Sequence, residues 1–215
     1  MKQRTSFGQH TLAGEYFTSA EIFAQERERI FGRHWLLAGH VAQLPEPGSY
    51  FLFELDRESV LLVRDAAGQI HAHHNFCRHR GTRLCTEAHG ELKGGLQCSY
   101  HAWTYGFDGA LRAAPNMQEV HGFDRADHGL KPVALANWRG FLFLNLAEEP
   151  VPFDAALPAL QGKFEHWRIE ELRSVHQTVY EVEANWKLFF HNYSECYHCP
   201  NVHPQLNKLT PYRNT

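Results

Sequence analysis

The chain has 215 residues, 43% of them hydrophobic and 21% charged, and a formal net charge of -3. This composition is typical of a globular protein of one or two domains and excludes a disordered or collagen-like chain. No run of eighteen apolar residues occurs, residues 1–7 lack the apolar stretch of a secretory signal, and the basic residues are scattered among the acids. The sequence therefore predicts a cytoplasmic protein that binds neither a membrane nor nucleic acid. Sixteen histidines and five cysteines, an odd number, favour metal chemistry over a disulfide framework.

The first predicted element is a helix over residues 18–33. Thr18 and Glu21 have the spacing of a capping box, and apolar residues follow at helical intervals. Short β-rich runs separated by turn residues come next, over residues 35–41, 50–55, 59–64, 69–74, 133–138 and 140–146. Strands of this length and spacing predict an antiparallel sandwich or a small barrel.

Two prolines within residues 148–152 predict a linker between domains. Beyond it, the residue pattern predicts a short helix over 157–164, a β-rich segment over 175–183 and a helix over 185–197. The predicted organisation is an N-terminal segment (1–34), an all-β domain (35–147) and a second domain (153–215).

Two short motifs contain four candidate metal ligands. Cys77 and His79 form a C-x-H pair, and Cys98 and His101 form a C-x-x-H pair further along the chain. A tetrahedral zinc ion uses the same residue types, but zinc modules usually pair Cys with Cys and His with His. One cysteine and one histidine in each motif suit a [2Fe-2S] cluster in which two thiolates hold one iron and two imidazoles hold the other.

These motifs, with Tyr100-His101-Ala102-Trp103 at the end of the second, resemble the Rieske family. The resemblance implies that Cys77, His79, Cys98 and His101 bind a Rieske [2Fe-2S] cluster, which a reductase or ferredoxin reduces. Imidazole ligation gives such clusters potentials of about -150 to +300 mV. Cys85 lies outside the ligand pattern, and we expect it to be a buried, unpaired thiol.

A second group of candidate ligands lies near the C-terminus. Glu195, His198 and His203 have the spacing E-x2-H-x4-H. On a helix, Glu195 and His198 would lie one turn apart, and Pro200 is expected to end that helix and bend the chain so that the two imidazoles converge. Two converging histidines are the nitrogen part of a 2-His-1-carboxylate site for non-haem Fe(II).

Cys196 and Cys199, in the same stretch, also form a C-x-x-C motif. A thioredoxin-like dithiol needs this motif at a helix N-terminus after a strand, and we expect it late in a helical segment instead. Haem attachment would require histidine where Pro200 stands. Both interpretations are therefore less favoured than the iron site.

The run Asn192-Tyr193-Ser194-Glu195-Cys196-Tyr197-His198-Cys199-Pro200 is similar to the start of the catalytic domain in α subunits of Rieske non-haem iron oxygenases. This family includes the aromatic ring-hydroxylating dioxygenases and the choline- and betaine-type monooxygenases. The resemblance extends from about residue 16 to residue 215 and implies an α+β fold. An all-β Rieske domain would be preceded by a helix and followed by the truncated start of a helix-grip catalytic domain.

The resemblance also implies a function. A reductase would pass electrons from NAD(P)H through the cluster to a mononuclear Fe(II), which would activate O2 to hydroxylate, dihydroxylate or N-demethylate a small organic substrate. In a head-to-tail homotrimer, the catalytic Glu195 would accept hydrogen bonds from the iron-ligating histidine and from His101 of a neighbouring subunit. The motif is closer to members that act on choline or betaines than to naphthalene-type enzymes, and their aromatic cage is expected mostly beyond residue 215.

The third iron ligand is not evident in the sequence. No Asp or Glu follows Pro204, so we expect this carboxylate beyond residue 215 and interpret the chain as a truncated α subunit that is inactive alone. Asp154 or Glu165 could substitute, although their spacing does not favour them. The alternative is a stand-alone Rieske electron-transfer protein with a vestigial iron site, but Rieske ferredoxins are about half as long and lack the E-x2-H-x4-H motif.

Overall fold

The computed structural model describes residues 11–214, so the first ten residues of the predicted N-terminal segment lie outside it. The chain divides into two compact units. The first, here called the β unit, is Glu28–Gln177. The second, here called the helical unit, consists of the residues up to Arg27 together with those from Thr178 onward. The domain limits given above remain predictions, because this division reflects compactness alone.

Ten short strands build the β unit. They are β1 (Leu36–His40), β2 (Ser49–Leu55), β3 (Glu58–Arg64), β4 (Ile70–His74), β5 (His89–Glu91), β6 (Leu96–Gln97), β7 (Thr104–Tyr105), β8 (Leu111–Ala113), β9 (Ala134–Trp138) and β10 (Phe141–Asn145). All six predicted strands are present, and their ends differ from the prediction by one residue at most. The four unpredicted strands, β5 to β8, are two or three residues long and lie around the ligand motifs.

The strands form three antiparallel sheets, ordered β4-β3-β2-β5, β1-β10-β9 and β6-β7-β8. The continuous apolar run of β3 is buried on both faces, as expected of a strand covered on two sides. Val60 and Leu62 pack in a core with β9 and β10, whereas Leu61 and Val63 pack in a second core with the ligand cysteines. The four-stranded sheet therefore separates the two cores and supports the ligand loops from one side.

The helices are α1 (Glu15–Thr18), α2 (Ala20–Glu26), α3 (Phe153–Ala156), α4 (Trp186–Tyr193), α5 (Cys199–Val202) and α6 (Pro204–Leu209), and a π-helical turn (Arg27–Phe31) follows α2. Within residues 11–214, no helix combines the length and apolar character needed to cross a membrane.

The predicted helix over 18–33 is interrupted at Ser19. This residue is extended (φ -76°, ψ 123°), and its side chain caps α2 by accepting a hydrogen bond from the Ile22 N–H at 3.3 Å. The hydroxyl of Thr18 donates to the carbonyl of Gly14 at 3.2 Å instead. The predicted capping residue was therefore wrong by one position, because the competing serine holds the extended conformation that an N-cap requires.

Three further predictions differ from the structure. Residues 157–164 hold only a 3-10 turn (Pro158–Leu160), with α3 preceding it. Residues 175–183 form no strand, and their large side chains are exposed. The last predicted helix, over 185–197, ends at Tyr193, so Glu195 lies in the turn that follows α4.

A buried ion pair joins α2 to α4 within the helical unit. The Lys187 ammonium donates to both carboxylate oxygens of Glu26, at 2.6 and 2.8 Å, and the Trp186 indole N–H donates to the same carboxylate at 2.9 Å. Burial alone would raise the pKa of Glu26, but these hydrogen bonds and the lysine charge hold it below its usual value. The carboxylate is therefore ionised and fully used in this contact.

Replacing Glu26 with glutamine should lower the free energy of unfolding by about 3 kcal/mol at pH 7, because it leaves the buried Lys187 charge uncompensated. The native pKa of Glu26 is lowered, so its contribution is complete above the ordinary value of 4.5 and disappears as the pH falls through the lower native value. Urea unfolding at pH 7 and under acid conditions should show the variant and the parent converging in acid. Glu28→Gln is the control, since Glu28 is 73% exposed and lies 3.6 Å from Arg33. Equal losses in the two variants would contradict this assignment.

Candidate metal centres

The two ligand loops of the β unit share one backbone design. In the first, the carbonyl of Cys77 accepts a hydrogen bond from the Gly81 N–H at 2.9 Å; in the second, the carbonyl of Cys98 accepts one from the Ala102 N–H at 3.0 Å. Gly81 and Ala102 both have left-handed φ angles, +72° and +57°. Each loop is therefore a five-residue turn closed by a left-handed residue, with its cysteine at the start.

The left-handed position predicts opposite effects of two substitutions. Ala102→Gly should raise the free energy of unfolding by about 1 kcal/mol, because alanine is strained at positive φ, and Gly81→Ala should lower it by a similar amount. A Cβ added at Gly81 meets nothing within 4 Å, so the backbone conformation alone decides this effect. Chemical denaturation measures both, with Ala113→Gly in β8 as a control that should only destabilise. A loss of stability in Ala102→Gly would refute the strain.

Both candidate cysteine ligands are buried, and their thiols contact each other. Burial alone would raise the pKa of the Cys98 thiol, but hydrogen bonds from the backbone N–H groups of Tyr100 and His101 hold it below its usual value. A thiolate is the form that binds iron. The backbone of the second loop therefore favours the charged form of Cys98 that binds iron.

Tyr105 forms a buried contact with the other cysteine. Its hydroxyl oxygen lies 3.2 Å from the Cys77 sulfur and accepts a hydrogen bond from the Arg78 N–H at 3.0 Å. Burial raises the pKa of Tyr105, so the hydroxyl keeps its proton and can donate it to the sulfur. Hydrogen bonds to ligand sulfurs are among the factors that set the potential of iron–sulfur clusters. The sequence gave no sign of this contact, which depends on the unpredicted strand β7.

The two candidate imidazole ligands lie side by side. The ring centroids of His79 and His101 are 4.7 Å apart, and His79 stacks on the buried Trp103 indole at 4.9 Å with an interplanar angle of 9°. Burial, followed by the neighbouring His101 and Arg80, lowers the pKa of His79. His79 is therefore neutral, as a metal ligand must be.

The four predicted cluster ligands thus occur as two thiols in contact and two adjacent imidazoles. This is the donor arrangement of a [2Fe-2S] cluster with one iron on each pair, so the residues fit the group. Among residues 11–214, no three or more His, Cys, Asp and Glu side chains are arranged to hold a single metal ion.

The second candidate centre lies in the helical unit. The Nδ1 atom of His198 is 2.7 Å from one carboxylate oxygen of Glu195, and the Tyr197 N–H donates to the other at 2.6 Å. The hydrogen bonds from His198 and Tyr197 hold the pKa of Glu195 below its usual value. Because Nδ1 is used by Glu195, the Nε2 atom of His198 is the nitrogen available to a metal.

His203 is the second imidazole at this centre. Its ring centroid is 5.4 Å from that of His198, so the predicted convergence of the two histidines is present. The predicted cause is wrong: α4 has already ended, and Pro200 stands in the first turn of α5, a position that tolerates its missing N–H. Both histidines line a cavity of about 730 Å³, and the two rings fit the nitrogen part of a non-haem iron site.

Three tyrosines line the same cavity, namely Tyr193, Tyr197 and Tyr212. Tyr193 and Tyr197 are 91% and 84% exposed, so their rings are open to a ligand rather than packed in the core. The aromatic cage expected mostly beyond residue 215 remains a prediction, and these tyrosines place aromatic side chains at this cavity. In the sequence, these rings are indicated by the tyrosines two positions before and two positions after Glu195.

Comparison with known proteins identifies both parts of the chain. The Rieske [2Fe-2S] domain model matches residues 34–124, and the model of the ring hydroxylating alpha subunit catalytic domain matches residues 169–215. The chain is 40% identical over 210 residues to the glycine betaine monooxygenase oxygenase subunit of Chromohalobacter salexigens, covering 97% of the chain and 46% of the relative. It is 33% identical over 196 residues to the carnitine monooxygenase oxygenase subunit of Acinetobacter baumannii, covering 90% and 53%.

A solved structure gives the same result. The quaternary ammonium Rieske monooxygenase CntA in complex with L-carnitine is 32% identical and superimposes with a TM-score of 0.84, covering 90% of this chain and 55% of that one. The chain spans about half the length of the curated relatives it matches.

Proposed function

We propose that the chain is part of the terminal oxygenase component of a multicomponent oxygenase. The reason is that it belongs to the family of Rieske non-haem iron oxygenase α subunits and corresponds to their N-terminal portion. The cluster and the iron, when bound, supply one-electron transfer and O2 activation. Cys77, Cys98, His79 and His101 would hold the cluster, and His198 and His203 would contribute two ligands to the iron. The third ligand remains a prediction.

The observation that carries the proposal is the second donor set. An electron carrier needs only the four cluster ligands, whereas this chain also places two imidazoles and a carboxylate around one cavity. The Glu195 carboxylate holds the His198 ring in one orientation through the Nδ1 atom of the histidine. Because the carboxylate is ionised, it can accept a hydrogen bond from that nitrogen. The proposal extends to electrons from NAD(P)H through a reductase or ferredoxin, to a head-to-tail homotrimer and to a cytoplasmic location.

The substrate class that the cavity favours is a quaternary ammonium compound. Tyr193 and Tyr197 line the cavity with exposed rings to which a cation can bind, and Glu195 adds a negative charge at the same cavity. The relatives are named for glycine betaine and carnitine, which agrees with this chemistry. Hydroxylation on an N-methyl group would lead to N-demethylation.

Electron paramagnetic resonance (EPR) tests the two centres. The full chain is reconstituted with ferrous iron and sulfide, and spectra are recorded after reduction and after addition of nitric oxide. We expect a Rieske cluster signal together with a ferrous nitrosyl signal. A cluster signal alone would support the stand-alone electron carrier, and the absence of both signals would overturn the proposal.

Titration of the nitrosyl signal tests the substrate class. Glycine betaine should perturb the signal, whereas its neutral-headed analogue 3,3-dimethylbutanoate, in which carbon replaces the ammonium nitrogen, should not. Tyr193→Ala should weaken the response about fivefold, equivalent to about 1 kcal/mol for a cation over an exposed ring, and Tyr193→Phe should retain it. Equal responses to the charged and neutral ligands would exclude a cation-binding cavity.

A further inference from the structure

The C-x-x-C motif of the helical unit has no part in the proposed iron chemistry. Cys196 and Cys199 are both free thiols, and neither sulfur atom is a proposed ligand of the cluster or of the iron. The geometry of the turn that contains them is what distinguishes this pair from the other cysteines of the chain.

The turn brings the two thiols together. The Cys199 N–H donates to the Cys196 carbonyl at 2.9 Å, and such a turn holds its end Cα atoms within about 7 Å. Their side chains also lie close enough to interact. Disulfides require Cα separations of about 4.4–6.8 Å, so this pair can close with little movement of the backbone.

The two sulfurs differ in access. Cys199 is 5% exposed, whereas Cys196 is half-buried, and both line the cavity that holds His198 and His203. A small oxidant entering this cavity therefore reaches Cys196 more easily than Cys199. The pair therefore has an outer thiol that can be attacked and an inner thiol that can resolve the product.

Cys199 also lies next to the proposed iron ligand. Its sulfur is 4.0 Å from the Nε2 atom of His198, the nitrogen that remains available to a metal. Drawing this sulfur into a bond with Cys196 changes the contacts of that nitrogen. The sulfur that a disulfide would use therefore lies beside the nitrogen that would bind iron.

We propose that Cys196 and Cys199 form a dithiol that hydrogen peroxide oxidises reversibly to a disulfide, and that the disulfide weakens iron binding at His198. Peroxide first converts the Cys196 thiol to a sulfenic acid and releases one water. The Cys199 thiol then displaces hydroxide from that sulfur, which leaves as a second water with the thiol proton. Two thiols lose two electrons, and one peroxide gains them.

Peptide mapping tests the oxidation step directly. Trypsin cleaves after Lys187 and Lys208 and yields a peptide, residues 188–208, that contains these two cysteines and no other. After peroxide treatment of the cluster-loaded chain, we expect this peptide to be lighter by two hydrogen atoms and resistant to alkylation, and dithiothreitol should reverse both changes. Cys85, which is buried and lacks a neighbouring free thiol in the same peptide, should remain alkylatable and serves as the internal control. In Cys199→Ser, Cys196 should instead accumulate as higher oxides.

Ferrous binding tests the coupling independently of catalysis. Iron bound per chain, measured with Fe(II) alone on the reduced and the oxidised protein, should show about tenfold weaker binding after oxidation, because a disulfide sulfur beside the metal-binding nitrogen cannot act as a thiolate donor. Cys196→Ser should abolish this difference between the two treatments. A peptide that keeps two alkylatable thiols after peroxide treatment would overturn the dithiol, and unchanged iron binding after disulfide formation would overturn the coupling. Absence of iron binding in both states, with the disulfide formed, would instead refute the proposed iron site.

Discussion

Replacing Cys98 with serine is expected to eliminate the [2Fe-2S] cluster, reducing its content from about one per chain to near zero. The thiolate at this position is stabilised by the backbone N–H groups of Tyr100 and His101, and its sulfur contacts that of Cys77. A serine hydroxyl keeps its proton at neutral pH and cannot replace a charged soft ligand. Iron and sulfide analysis, with the visible absorption and EPR spectra of the reduced chain, measures the loss.

Cys85→Ser is the matched control for this prediction. Cys85 is buried in the same core, and burial raises the pKa of its thiol to about 11, so it is protonated and cannot act as a thiolate ligand. The control should keep the cluster and lose about 1 kcal/mol of stability, because a hydroxyl replaces a thiol in an apolar site. Equal cluster contents in the two variants would refute the assignment of Cys98.

The cluster should also contribute to the stability of the β unit. Both ligand loops lie on one core, and Cys77, Cys98, Trp103 and Tyr105 are buried members of it. A cluster that binds only the folded arrangement stabilises that arrangement by its own binding free energy. The Cys98→Ser chain should therefore unfold at lower denaturant concentration than the Cys85→Ser chain.

The β unit could be predicted closely because its signal is local. Each strand is an apolar run that ends at turn residues, and β3 reads as continuous Val60-Leu61-Leu62-Val63 because both of its faces are covered. The signal for the candidate ligands is equally local, since each loop has its cysteine and histidine within four residues. What the motif could not give was the packing of Tyr105 against Cys77, because that contact joins residues 28 positions apart.

The segment between the two motif regions was predicted poorly for a physical reason. Val175, Val179 and Tyr180 have high β propensity, but propensity measures how well a side chain fits a paired, half-buried surface. No described strand pairs with this segment, and Val175 is 95% exposed. The β-prone side chains therefore have no paired surface against which to pack. Similarly, the helix over 185–197 was extended too far because aromatic residues continue past Tyr193, where Ser194 ends α4.

The convergence of His198 and His203 was predicted correctly from an incorrect cause. Pro200 was expected to end a long helix, whereas it begins a short one. Either role excludes a single continuous helix through both histidines, and this was the only property that the prediction used. The position of Glu195 was predicted in the same way: an i, i+3 contact to His198 forms in the turn as it would have formed on a helix.

Replacing His198 with alanine is expected to abolish the ferrous nitrosyl signal and leave the cluster signal unchanged. Among residues 11–214, His198 is one of two histidines that line this cavity, whereas the four proposed cluster ligands lie in the β unit. His191→Ala is the matched control, because His191 is on α4, packs its ring edge against Phe17 and does not line the cavity. Nitric oxide titration with EPR, recorded on the same sample before and after reduction, measures both centres.

Glu195→Gln should give an intermediate result. Glutamine can still accept or donate a hydrogen bond at Nδ1, so His198 keeps its ring in place, but the charge that favours a bound cation is lost. Loss of such a carboxylate partner typically weakens metal binding by about 10- to 100-fold. The expected order of ferrous affinity is therefore His191→Ala, then Glu195→Gln, then His198→Ala with no detectable iron. If Glu195→Gln bound iron as tightly as the control, the negative charge of the carboxylate 2.7 Å from His198 Nδ1 would have no role in iron binding.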